Sequence, residues 1–150
     1  MKLRYLLLLL ALSPITSFAG DMAKGTNFLV LDNESWPTGE KSGFYILNGK
    51  GVSTTIEGPT ETKAVECHGA GFWGPDGSSA EGICLNGSGD DMYVSSFKRE
   101  VGQTTGQWKI ISGTGTGKYA GISGEGSYTT SQVPGGRLVS NWEGEMTVAK

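Results

Sequence analysis

Few residues in this chain could do chemistry. Glu66 and His68 flank Cys67, and His68 is the only histidine. In a strand, alternate side chains share a face, so Glu66 and His68 fall together, opposite the Cys67 side chain. Inside a closed cavity such a pair is an acid/base site; on a solvent-facing wall it is ordinary surface. Glu143 and Glu145 sit about 7 Å apart along one strand face, a separation that two carboxylates could use on a glycosidic bond. Their alternation with Trp142 and Met146 sends them to solvent instead. Asp90 and Asp91, with Asn86 and Ser88, form an oxygen-rich cluster without EF-hand spacing, which reads as a solvated turn. One histidine and two cysteines, Cys67 and Cys84, are too few for a zinc cluster, so no metal is expected. In an oxidising compartment the two cysteines are expected as one disulfide.

Six glycines crowd the stretch Gly113 to Tyr128, which invites a nucleotide-loop reading. A P-loop needs a hydroxyl residue after Gly117-Lys118, where Tyr119 stands, and a glycine where Ser112 stands. The pattern Gly115-x-Gly117-x-x-Ala120 matches a dinucleotide fingerprint only nominally. Gly121, Gly124 and Gly126 rule out the helix whose N-terminus would meet a pyrophosphate. Neither a nucleotide nor any other cofactor is expected. The stretch reads as two bent strands joined by a turn that Tyr119 anchors.

The elements around these residues are all strand-like. No window holds the i, i+3, i+4, i+7 apolar spacing of a helix. Short strand-like runs cover Thr26–Asp32, Gly43–Asn48, Val52–Glu57, Thr62–Trp73, Ser79–Asn86, Met92–Arg99, Thr105–Ser112, Ile122–Thr130 and Arg137–Val148. Asn48-Gly49 reads as a tight hairpin, Asn86 to Asp91 as a second turn, and Pro134-Gly135-Gly136 closes the last hairpin. If Pro75 and Asp76 are the central residues of Gly74-Pro75-Asp76-Gly77, the flanking strands pair Cys67 with Cys84 and Gly69 with Gly82. Turn chemistry and cysteine spacing thus give the same register. On the last strand Leu138, Ser140, Trp142, Gly144, Met146 and Val148 should face inward; on Met92–Arg99 the pattern leaves the inner face open. The expected fold is a single all-β domain, an antiparallel eight-stranded barrel of up to nine strands.

Lys2 and Arg4 precede the apolar run Leu6 to Leu12, and Ser17-Phe18-Ala19 offers a signal-peptidase site. The expected organisation is a signal peptide over 1–19, cleaved after Ala19, and one domain over 20–150. No integral membrane segment is expected after cleavage, because the apolar run falls short of the roughly 20 residues of a spanning helix. The expected location is periplasmic or secreted. Removing Lys2 and Arg4 leaves 10 basic against 15 acidic residues. This acidic balance without a basic cluster argues against nucleic-acid partners.

The run G-T-G-K-Y-A-G-I-S-G-E-G-S-Y at Gly115–Tyr128 resembles the signature turn of the allene oxide cyclase/dirigent-like barrel superfamily and of secreted bacterial proteins that share it. The likeness extends to C-H-G-x-G at Cys67–Gly71, E-G-I-C-L around Cys84, and the turn G-D-D before a strand. It implies an eight-stranded antiparallel barrel whose lumen can hold an apolar molecule. No catalytic residue of the plant cyclases finds a match in this chain.

The expected function is a non-catalytic barrel that binds a small apolar ligand or a partner protein. Trp73, Trp108, Trp142, Tyr93 and Tyr119 are its candidate ligand contacts. A cyclase- or isomerase-like enzyme using Glu66 and His68 in the lumen is one alternative. The other is a structural envelope module whose aromatics fill the barrel. The state of the lumen, and the face that carries Glu66 and His68, separate these three.

Overall fold

The structure is a computed structural model that describes residues 20–149. The expected signal peptide over 1–19 lies outside the described residues. Ten strands follow in chain order: β1 (Asp21–Leu31), β2 (Glu34–Gly39), β3 (Ser42–Glu57), β4 (Lys63–Gly74), β5 (Gly77–Ser78), β6 (Ala80–Ser88), β7 (Asp91–Arg99), β8 (Thr105–Ile110), β9 (Ser123–Val133) and β10 (Arg137–Thr147). All pairings are antiparallel. Eight strands close into a barrel in the order β3-β1-β10-β9-β8-β7-β6-β4, and the β3–β4 pairing completes the ring. Closure pairs every strand of the ring on both sides, which removes the open edges that a flat sheet would expose. The remaining strands, β2 and β5, extend the sheet beyond one end of the ring, on β3 and β4 respectively.

The turn at Pro75-Asp76 sets the register as its chemistry predicts. Gly74 pairs with Gly77, Gly69 with Gly82, and Cys67 with Cys84. Cys67 and Cys84 form a disulfide with their Cα atoms 4.0 Å apart. Closing a loop of this size contributes roughly 3 kcal/mol, mainly by restricting the unfolded chain.

Two expectations of the turn reading do not hold. Asn48-Gly49 is not a hairpin but the middle of the 16-residue strand β3. Gly49 lies between Leu31 of β1 and Cys67 of β4, so sheet pairing on both sides overrides the local turn preference of the dipeptide. Asn86 likewise belongs to a strand rather than a turn. Its side chain is buried and donates to the Cys84 carbonyl and to Ser95 Oγ, both at 3.0 Å. The turn is confined to Ser88–Asp91.

The glycine stretch does more than join two strands. After β8 the chain runs beside β7 as an irregular strap, makes one 3-10 turn at Gly117–Tyr119, and enters β9. Along the strap, Thr114 and Thr116 substitute side-chain hydroxyls for ladder bonds: Val94 N–H donates to Thr114 Oγ1 at 3.1 Å and Met92 N–H to Thr116 Oγ1 at 3.2 Å. The strap thus bonds β7 through the Met92 and Val94 backbone, and the inward set on that strand is Tyr93, Ser95, Phe97 and Arg99. The strap carries Tyr119 into one end of the barrel, where it is buried with Tyr93, Ile110, Ile122, Met146 and Ala23. Tyr119 meets Tyr93 edge to face, ring centroids 5.2 Å apart.

Gly121 follows this plug at φ +73°, a conformation that β-branched residues resist, and a Cβ there would press on Ala149. Gly121→Val is therefore expected to lower the melting temperature by several degrees, on the order of 2 kcal/mol. An unchanged thermal transition in circular dichroism would show that this glycine has no special backbone role.

The candidate functional site: an open lumen with one plugged end

The inward faces of the strands do not fill the barrel. They enclose a cavity of about 680 Å³, within the range of small-molecule sites. Trp73, Trp108, Trp142 and Tyr93 line it, as does Tyr128, so four of the five expected aromatic contacts face the lumen. Tyr119 does not; it belongs to the plug behind Tyr93. The inward set on β10 is as the alternation predicts, with Leu138, Ser140, Trp142 and Met146 on the cavity wall.

The rings lie along the wall because the neighbouring strand offers glycine beside them. Gly25 is the cross-strand partner of Trp142, Gly106 of Tyr128, and Gly43 of Trp73. At each of these glycines an added Cβ would collide with the facing ring. Trp108 turns its indole N–H to the carbonyls of Ser127 and Glu143, at 3.1 and 3.2 Å, and packs edge to face on Trp142. The Cys67–Cys84 bridge is part of the wall on the opposite side.

Polar groups are interleaved with the rings. Ser53, Asn86, Ser95, Thr130 and Ser140 reach the cavity, and so does Asn27, whose buried Oδ1 has no protein donor. At the unplugged end stand Asn33, Ser35, Ser78, Gln132 and Arg99, the single charged side chain on the lining. Arg99 donates to Ser78 Oγ at 3.0 Å. Burial raises the phenol of Tyr45 above its ordinary value, against a smaller opposing pull from Arg99, and burial pushes Tyr128 up to about 12.

Glu66 and His68 are on the outside. His68 Nε2 lies 2.9 Å from Glu66 Oε1, its Nδ1 lies 2.9 Å from Asn48 Oδ1, and Lys50 Nζ reaches Glu66 at 3.0 Å. His68 is half exposed, and none of these side chains reaches the lumen. Because Cys67 faces in, its neighbours must face out. An acid/base role for the pair inside the cavity is therefore not available. Glu143 and Glu145 also point to solvent.

The acidic turn is a clamp. Asp91 Oδ1 accepts the Lys118 backbone N–H at 3.0 Å, which holds its carboxyl below the usual range. The Lys118 ammonium pairs with Glu61 and lies 3.5 Å from Asp91 Oδ2. Among the described residues no group of histidine, cysteine and acidic side chains is arranged to hold a metal ion.

The outer wall is two-sided. On β8, β9 and β10 it carries Lys109, Glu125, Asn141, Glu143 and Glu145, which breaks the continuous apolar belt that a membrane barrel needs. No described helix is long and apolar enough to cross a membrane. On β2, β3 and β4 a row of Trp36, Phe44 and Phe72 faces out, with Trp36 stacked on Phe44 at 4.9 Å. Phe72 is 66% exposed. No protein-family model matches the chain, and a search of curated proteins finds none similar to it.

Sequence reasoning passed over Lys63, which is 8% exposed at the plugged end. Its ammonium donates to Thr60 Oγ1 and to the Glu61 carbonyl, both at 3.1 Å, and lies 5.7 Å from the centre of the Tyr93 ring. Burial lowers its pKa from 10.5 to about 8; the Glu61 carboxylate opposes that shift and the Lys118 cation adds to it. Between these two values the unfolded chain binds more protons than the folded one, so stability rises with pH there. Below about pH 8 both states are protonated and this gain is absent. Relative to Lys63→Met, the wild-type chain is expected to gain on the order of 2 kcal/mol across that window in urea unfolding. Parallel pH profiles for the two proteins would show that the lysine is not desolvated.

Proposed function

We propose that this chain is an exported, non-catalytic barrel whose lumen binds a small, largely apolar ligand. One observation carries the reading: a cavity of about 680 Å³ stays open between Trp73, Trp108, Trp142 and Tyr93. Flat rings backed by a rigid sheet give apolar contact at little entropic cost, and the interleaved hydroxyls and amides would orient what lies between them. The cavity weighs against a structural module with a packed core. The position of Glu66 and His68 on the outer wall takes away the acid/base pair on which the cyclase- or isomerase-like alternative rested. The cleavable-leader pattern at Lys2 to Ala19 and the single disulfide support export. The likeness of Gly115–Tyr128 to the allene oxide cyclase/dirigent-like signature accords with a ligand-holding barrel.

The test is native mass spectrometry of the protein from its own host, with the Thr130→Trp variant alongside. Thr130 lines the lumen, and an indole there would occupy it. A bound small molecule on the wild-type chain, absent from the variant, is the expected result. A wild-type protein that repeatedly carries nothing and takes up no apolar dye, neutral or anionic, would overturn the reading.

A partner protein is the second reading, favoured by the exposed row of Trp36, Phe44 and Phe72. A second copy of this chain is the partner proposed for it, because a two-fold contact would lay the same row of rings against each other. Sedimentation should then show a dimer that Phe72→Glu dissociates; a wild-type monomer at every concentration would end this reading.

A further inference from the structure

The lumen reading leaves one group without a counterpart. Arg99 projects from the end of β7 onto the cavity wall at the unplugged end. Among the described residues it is the only charged side chain on that wall, and it makes no ion pair with any described carboxylate. The neighbouring charges are already engaged: Lys98 pairs with Glu100 and faces out. Arg99 is steadied by Ser78 Oγ at 3.0 Å and more weakly by the Gln103 carbonyl at 3.5 Å. With the Tyr45 phenol also beside it, its contacts are all neutral and leave part of its five-donor fork free. A guanidinium is a poor choice for lining an apolar mouth unless something anionic meets it, because desolvating an unpaired cation costs free energy. Its planar fork matches a carboxylate, sulfonate or phosphate, and partial burial strengthens such a pair over one in open water.

The rings define the other end of the ligand. Trp73 and Tyr45 stand at the same end as Arg99, and Trp108, Trp142 and Tyr128 continue inward as a sequence of flat surfaces. Resting on the lumen reading above, we propose that the ligand is an aromatic organic anion. Its ring system lies among these side chains, and its acidic group emerges at the mouth, paired with Arg99. The acidic group is the shared chemistry; which acid carries it is secondary to the charge.

Two dyes with nearly the same rings separate the possibilities: anilinonaphthalene sulfonate, which is anionic, and N-phenylnaphthylamine, which is neutral. Fluorescence titration of the mature protein should give tighter binding of the sulfonate. Arg99→Gln is expected to weaken the sulfonate about tenfold and the amine less than twofold. Thr130→Trp should weaken both, which ties the signal to the lumen rather than to the outer wall. Should Arg99→Gln fail to fold, the wild-type protein still decides. Rising salt should loosen the sulfonate and leave the amine unaffected, since only the former depends on a charge pair near solvent. Equal binding of the two dyes, insensitive to salt and to Arg99→Gln, overturns the inference while leaving the lumen reading in place. Binding of neither dye overturns both.

Discussion

The close approach of inward aromatic rings to glycines on the next strand is the constraint on which this structure depends. Each such pair settles two things together. Glycine lets the ring lie flat against the sheet, and the ring covers backbone that glycine would leave bare. Trp142 over Gly25, Tyr128 over Gly106 and Trp73 over Gly43 follow this scheme. A barrel of eight strands is narrow enough for large side chains to meet across its axis and close it. Rings laid along the wall touch rings two strands away, Trp108 on Trp142 and Phe97 on Tyr128, and leave the centre free, so the same pairing that bends the sheet holds the lumen open.

The two ends of the barrel are then treated differently. At one end the chain cannot rely on side chains from the wall, so the strap after β8 folds in and delivers Tyr119 and Ile122 to the core. The strap has too few ladder partners to be a strand, and the hydroxyls of Thr114 and Thr116 make up the difference. Gly117 approaches the Asp91 carboxylate so closely that no side chain would fit. The Asp91 carboxylate accepts the adjoining Lys118 N–H, and the Lys118 side chain bridges to Glu61. These ion pairs are exposed and individually worth little; their effect is to aim the strap, while burial of Tyr119 supplies the stability.

What could be read from the sequence was local or periodic. The all-β class, the inward set on β10 and the Cys67–Cys84 pairing follow from alternation and from one proline turn, which need no knowledge of distant strands. What could not be read required knowing which strands become neighbours. Asn48-Gly49 looks like a turn until β1 and β4 are seen to pair with it on both sides. β2 was missed because Glu34–Gly39 lacks alternation and includes a proline, which only an edge strand tolerates. The lumen followed the same rule. The aromatic residues were evident, but a ring that fills a core and a ring that lines a cavity are the same residue type. The difference lies in the glycine across from it. For Glu66 and His68, parity with Cys67 fixed their common face, but only the disulfide's place on the lumen wall showed that this face is the outer one.

The size of the cavity decides what kind of space it is. Were it a dry packing defect, a cost of about 24 cal/mol per Å³ would bring it to roughly 16 kcal/mol, which equals or exceeds the whole stability of a typical domain. No fold of this length could carry that deficit. The lumen must therefore be solvated or occupied, and its lining fits this: Asn27, Ser53, Asn86, Ser95, Thr130 and Ser140 place hydrogen-bonding groups among the rings. A barrel selected only to be a rigid module would gain by replacing these side chains with leucine and isoleucine and closing the space, as small barrels can. This chain instead retains polar groups inside, an acceptor on Asn27 without a protein donor, and a cation at the mouth without a counter-ion. Each would be a cost in a filled core, and each is met by water or by a guest in an open one.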